Sequence, residues 1–311
     1  MERSLIAHTT MRVIGHAAVA TLRIISLVLP RSVVRRSAPL PQTSDLDRTG
    51  ILVNAAEPLK IVWKDSEIIF PMYQSSLAHS FWRAQEFSLF MQNQSAVLTP
   101  VLDLGCGDGS FAAALFSRID YGSDIDEDAL KIARGFNIYS NLIHSSDTHI
   151  PLPDGAVNTV ISNSVLEHVK NLDAVMGQLS RVIAVDGRLI FSVPVRQFAR
   201  DLEVFFGHAE SQKVNADYYH RNLLEIDEWQ ALLKKHGFSV ISIRQFQPDW
   251  FSFYYWMLRF SGRSGFGRFF PTIRERIWRM RGRQLVKMVR DSISGNIERG
   301  GNIFVIAKKS G

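Results

Sequence analysis

The run Val101-Leu-Asp-Leu-Gly-Cys-Gly-Asp-Gly109 constrains this chain more than any other feature. A short apolar strand that breaks into alternating glycines, with a helical stretch from Ser110, is a strand–turn–helix unit. Glycines in such a turn let backbone N–H groups approach a ligand with no Cβ in the way, at the positive end of a helix dipole. The spacing is G-x-G-x-G, and Ser110 stands where a dinucleotide fingerprint requires its third glycine. Asp103, just ahead of Gly105, suits a cationic group such as an amino-acid ammonium or a sulfonium, and does not suit a pyrophosphate.

Beyond this unit the chain alternates strand and helix. Strands are expected at Val101–Leu104, Tyr121–Asp124, Asn141–His144, Val157–Ser162, Arg188–Val193, Phe238–Phe246 and Ile303–Ala307. Helices are expected at Ser110–Arg118, Asp128–Arg134, 171–184 and 226–236, the last ended by Gly237, with a turn at Asp186-Gly187. Such alternation argues for an α/β fold, a doubly wound and mostly parallel sheet of about seven strands.

Further candidate residues lie where strands end. Asp124 closes the strand after the glycine turn, where an acid can accept both hydroxyls of a ribose. Asp147, followed by Thr148, comes after the third strand and can accept from an exocyclic amine. Asn163-Ser-Val-Leu-Glu-His168 follows the fourth strand, where the reactive end of a bound ligand would sit. Glu167 either caps the next helix or takes part in chemistry, and His168 is either a hydrogen-bonded core histidine or a general base. His220, in Tyr218-Tyr-His-Arg221, is a second candidate base.

Taken together, these motifs resemble the class I S-adenosylmethionine-dependent methyltransferases, in particular the bacterial small-molecule group with a D-x-G-x-G-x-G loop and an L-E-H signature. The resemblance covers roughly residues 97–247 plus the last strand. It implies a Rossmann-like sheet with an antiparallel last strand, and S-adenosyl-L-methionine as cofactor. It further implies that Asp103, Gly105, Cys106, Gly107 and Gly109 cradle the methionine moiety. Asp124 then holds the ribose, Ile125 packs on adenine, Asp147 and Thr148 contact its edge, and Asn163 lies near the methyl. Val157-Asn158 departs from the family's usual Phe-Asp. Relatives in the ubiquinone pathway can bind a metal through two acids and a histidine; Ser164 takes the place of one acid, so no metal is expected here.

The flanks differ from the centre. Of the net charge of +6, residues 1–40 hold +5 and residues 251–300 hold +8, which leaves −7 for the rest. Val13–Leu29 is apolar but carries Arg23 near its middle, which disfavours a membrane span. Arg12, Gly15, His16, Arg23 and Ser26 form one stripe at helical spacing, so an in-plane amphipathic helix fits better. A transit peptide or a helix packed on the domain remains open. Pro39 and Pro41 mark a linker.

The expected division is a basic N-terminal segment over 1–48, a cofactor-binding domain over 49–247 and 302–311, and an insertion over 248–301. That insertion starts with Trp250-Phe-Ser-Phe-Tyr-Tyr-Trp256, passes a Gly/Ser stretch, and becomes an arginine-rich helix from Pro271 to Ile293. Aromatics with arginines suit a substrate lid, an anionic membrane surface or single-stranded nucleic acid, in that order. Base-modifying enzymes usually carry Asn/Asp-Pro-Pro-aromatic after the fourth strand, and Asn163-Ser-Val-Leu counts against them.

One cysteine excludes an intrachain disulfide and a Cys-based zinc site. A cytoplasmic enzyme with peripheral membrane contact, acting on a small, apolar or lipid- or glycan-linked acceptor, is therefore expected. The competing reading is a noncatalytic module of the same fold that docks on membrane or RNA.

Overall fold

A computed structural model of the chain describes residues 51–52, 59–63, 69–72, 77–146, 149–263, 287–293 and 297–311. The amphipathic N-terminal stretch, Asp147, Thr148 and most of the arginine-rich helix lie outside the described residues.

Three short strands come first: β1 (Ile51–Leu52), β2 (Leu59–Trp63) and β3 (Ile69–Met72), paired antiparallel in a sheet of their own. Helix α1 (Leu77–Gln92) follows. The main sheet opens with β4 (Val101–Leu104), buried at every position and lying between two parallel neighbours. After it come α2 (Ser110–Leu115), β5 (Ile119–Asp124), α3 (Glu127–Gly135) and β6 (Tyr139–His144). Asp126 caps α3 by accepting from the Asp128 and Ala129 N–H groups, and Glu127 and Asp128 add charge that favours its N-terminus.

Strand β7 (Val157–Asn163) leads to α4 (Leu172–Val182), whose cap is Asn171, accepting from the Ala174 N–H at 3.1 Å. Strand β8 (Ile183–Pro194) starts five residues before its expected position. Its pairing with β7 jumps from Val157↔Ile183 to Thr159↔Arg188, so Asp186-Gly187 forms a bulge inside the strand instead of a turn ahead of it. Asp186 takes φ 66, the left-handed conformation that Asp tolerates.

Two helices that the strand and helix expectations omitted follow, α5 (Arg196–Phe206) and α6 (His208–Asp217). Then come α7 (Ile226–Lys235), β9 (Phe238–Pro248), α8 (Asp249–Arg263), a short helix α9 over 287–293, and β10 (Gly300–Lys309), antiparallel to β8.

The main sheet runs β6-β5-β4-β7-β8-β10-β9, which is order 3-2-1-4-5-7-6 in the sequence of its own strands. The direction of winding reverses between β4 and β7. A doubly wound sheet binds its ligand at that switch point, outside the carboxyl ends of the strands. The α/β, Rossmann-like expectation with an antiparallel last strand holds.

The described residues form two compact units. One holds Glu86–Ala199, Val214–Phe246 and Asn296–Gly311, with the main sheet. Its core includes Leu102, Val160, Phe191, Val193, Trp229 and Val305, each at most 1% exposed. Burial of a large apolar side chain contributes about 1.5–3 kcal/mol.

The other unit holds the described parts of Met1–Gln85, Arg200–Lys213 and Gln247–Gly295. Its interior is aromatic: Phe81 stacks on Phe251 at 4.1 Å, and Trp82 meets Tyr255 edge-on at 4.8 Å. From the run at 250–256, Phe251, Phe253, Tyr255 and Trp256 are buried, so these four are withdrawn from any docking surface, while Tyr254 stays exposed. No helix among the described residues is long and apolar enough to cross a membrane.

Candidate active site

The glycine turn is shaped by the end of β5. The N–H groups of Gly105 and Cys106 both donate to the Ser123 carbonyl, at 2.8 and 3.0 Å. The Gly107 N–H donates to Asp124 Oδ2 at 2.7 Å, and the Asp126 N–H donates to Asp124 Oδ1 at 2.9 Å. The Asp124 carboxylate is thereby fixed beside the turn, and each oxygen keeps a further lone pair for a hydroxyl donor. Next to it, the side chain of Ile125 is 69% exposed, a flat apolar surface beside the turn.

Asp103 lies in β4 with 6% exposure and accepts from the Tyr139 hydroxyl at 2.7 Å. Burial pushes its carboxyl up to about 7; the Tyr139 hydrogen bond opposes that rise and the neighbouring Asp124 charge adds to it. Cys106 is buried, and burial first, then Asp103 and Asp124, hold its thiol protonated, so only its backbone serves the turn.

At the end of β7, both polar atoms of the Asn163 side chain are engaged within the protein. Its Nδ2 donates to Glu86 at 3.1 Å, and its Oδ1 accepts from Ser192. Ser164, at φ 54, donates its hydroxyl to the same Glu86 at 2.7 Å. Glu86, on α1 and fully buried, is the hub of this loop. The sequence offered no sign of it, since it is distant along the chain from every residue it holds.

Glu167 and His168 lie in the turn that follows. Glu167 is 2% exposed and does not cap α4, which is the task of Asn171. The His168 side chain is partly buried, 39% exposed. His220 stacks on His168, with ring centres 5.4 Å apart and planes 28° from parallel. The segment after α6 creates this pairing. The N–H groups of Arg221 and Asn222 donate to the Glu167 carbonyl, and Asn222 Nδ2 donates to the carbonyls of Leu166 and Val169.

His220 Nδ1 lies 2.9 Å from Asn215 Oδ1, which fixes the proton on Nδ1 and leaves Nε2 as an acceptor. Burial, and then His168, push His220 down to about 3, so this imidazole is neutral near neutral pH. Glu167, His168 and His220 bring one ligand atom each within 4.8 Å of one another, a set able to hold a divalent cation. The resemblance puts a ligand acid at the place taken by Ser164 and so implies no metal, whereas this set is completed by His220, from a distant loop.

A methyltransferase domain family matches residues 77–243, more than half of the chain and every residue of this site. The chain belongs to this family. It thus carries a methyltransferase domain, with the Rossmann-like sheet expected from the resemblance to the class I S-adenosylmethionine-dependent enzymes. Among its relatives, an uncharacterized methyltransferase of Mycobacterium bovis is 32% identical over 93 residues, 29% of this chain and 47% of that protein. A probable S-adenosylmethionine-dependent methyltransferase of Mycobacterium tuberculosis is 29% identical over 145 residues, 46% of this chain and 50% of that protein. The chain spans about half the length of these curated relatives. A solved SAM-dependent methyltransferase from Thermotoga maritima is similar with a TM-score of 0.48 and 16% identity, over 75% of this chain and 92% of that one.

Proposed function

We propose that this chain transfers the methyl group of S-adenosylmethionine to a hydroxyl of a small, apolar or lipid- or glycan-linked acceptor, with His168 as the general base. The observation that carries this reading is the stacked pair of His168 and His220, held at the carboxyl end of the sheet next to the expected cofactor crevice. In the proposed arrangement, Asp103 and the turn at Gly105, Cys106, Gly107 and Gly109 take the methionine moiety. Asp124 takes the ribose, Ile125 lies on the adenine, and Asp147 and Thr148 meet the adenine edge.

The acceptor oxygen attacks the methyl carbon in line with the carbon–sulfur bond. That bond breaks with its electron pair going to sulfur, and S-adenosylhomocysteine leaves. The hydroxyl proton passes to His168 and from there to solvent. His220, pushed down to about 3, is too weak a base to hold that proton and acts as a neutral ring against His168. Phe198 meets the His220 ring edge-on at 5.2 Å and Tyr218 stacks on it at 5.6 Å, an aromatic setting that favours an apolar acceptor.

Incubation of acceptor extracts with radiolabelled methyl donor tests the reading, and label should enter a hydroxyl-bearing, apolar product. His168→Ala should lower turnover about 10²–10⁴-fold, the range for loss of a general base, with unchanged affinity for S-adenosylhomocysteine. Parallel losses of folding stability and activity would instead make His168 a packing residue.

A further inference from the structure

Tyr139 opens β6, at the edge of the sheet, yet its hydroxyl ends on β4 in the middle. Its ring crosses β5 at Gly122, where a Cβ would lie 2.7 Å from Tyr139 Cδ1. It also passes Gly109, where a Cβ would lie 3.1 Å from Cε2. Two glycines therefore leave the space through which one phenol reaches a buried carboxylate.

We propose that Tyr139 is a positioning residue for the cofactor: its hydroxyl orients the Asp103 carboxylate to receive the methionine ammonium. This rests on the reading of Asp103 as the ammonium partner. The groups facing Asp103 are Tyr139 from β6, Asp124 from β5 and Cys106 from the turn; Asp108 also faces Tyr139. Of these, only the Tyr139 hydroxyl favours the charged form, since the Asp124 charge repels it and the Cys106 thiol is neutral. Tyr139 keeps its proton, because burial, and then Asp103, push its ionisation up, so it is a permanent donor.

The sign follows. The ammonium needs an ionised Asp103, whose carboxyl stands at about 7, so affinity for S-adenosylhomocysteine should fall as pH drops below about 7. Tyr139→Phe keeps the ring in its slot and removes the hydroxyl that lowers this pKa. The pH at which affinity is lost should then move up.

The experiment is calorimetric titration of the full chain and of Tyr139→Phe with S-adenosylhomocysteine from pH 6 to pH 8.5. 5′-Methylthioadenosine, which has the nucleoside but no amino-acid group, is titrated in parallel. A shift of about one pK unit makes the variant about tenfold weaker for S-adenosylhomocysteine at pH 6.5, and the deficit shrinks at pH 8.5. 5′-Methylthioadenosine should bind both proteins equally at every pH, which also shows that the variant is folded. A pH profile that the variant leaves unmoved would overturn the role of Tyr139. A profile flat in both proteins would overturn the ammonium reading of Asp103 instead. Equal weakening of both ligands would make Tyr139 a packing residue of the turn.

Discussion

Two glycines of the same turn should fail in different ways when a methyl group is added. Gly105 and Gly107 sit at φ 71 and φ 54, where an L side chain costs about 1–2 kcal/mol. At Gly105 a new Cβ would also stand 2.7 Å from Val165 Cγ1, well inside the contact distance of about 3.5–4.0 Å between carbons. Forcing Val165 aside in a packed region costs about 1–3 kcal/mol more, so Gly105→Ala should lose roughly 2–5 kcal/mol of stability. At Gly107 nothing lies within 4 Å, so only the backbone term of about 1–2 kcal/mol applies. That open space is where the methionine moiety is placed, and a methyl group there should displace it. Gly107→Ala should therefore bind S-adenosylhomocysteine at least about tenfold more weakly, or about 1.4 kcal/mol. Urea denaturation reads the first quantity and calorimetry the second. Wild-type affinity in a folded Gly107→Ala protein would refute the placement of the cofactor on this turn.

Turnover should be unchanged by EDTA, because in the proposed mechanism His168 takes the hydroxyl proton and cannot ligate a metal at the same time. Loss of activity restored by magnesium would assign Glu167, His168 and His220 as ligands. Glu86→Ala leaves the Asn163 and Ser164 donors without their acceptor, and should lower stability by about 2 kcal/mol or more in denaturant titrations; a change within error would remove Glu86 as the hub of the loop. We also expect sedimentation with anionic vesicles that weakens at high salt and on deletion of residues 1–40, since basic residues contribute roughly 1 kcal/mol each at such a surface. A protein that stays in the supernatant at every lipid composition would rule out peripheral docking.

The strand–turn–helix at 101–115 was legible because its signals are local: a buried apolar strand, glycines at fixed spacing and a helix start. The same holds for Asp124, whose place at the end of the next strand follows from the doubly wound order. Strand β8 was placed late because Asp186-Gly187 reads as a turn, and only its register against β7 shows that the residues bulge inside a continuous strand. Helices α5 and α6 passed unnoticed although Pro194 and Gly207 punctuate the chain just ahead of them, and α6 carries few apolar residues to signal it. The site's supporting residues were out of reach for another reason. Glu86, Tyr139 and Asn222 act across the chain, and no spacing rule connects them to Asn163, Asp103 or Leu166. The role of the aromatic run at 250–256 was not legible, since a lid, an interfacial segment and a small aromatic core look alike in one dimension, and four of its residues are buried.

The cofactor cradle is tested most directly by titrating the protein with S-adenosylhomocysteine and with NAD, alongside Asp124→Ala. Asp124 accepts from the N–H groups of Gly107 and Asp126, so its removal takes away the ribose acceptor and also two supports of the turn, and a denaturant titration of the variant runs in parallel to separate the two. The account predicts that S-adenosylhomocysteine binds and NAD does not, and that Asp124→Ala weakens binding by about 1.5–3 kcal/mol, the scale of a lost hydrogen bond to a charged group. Tighter binding of NAD, or an affinity for S-adenosylhomocysteine unchanged by Asp124→Ala, would contradict it.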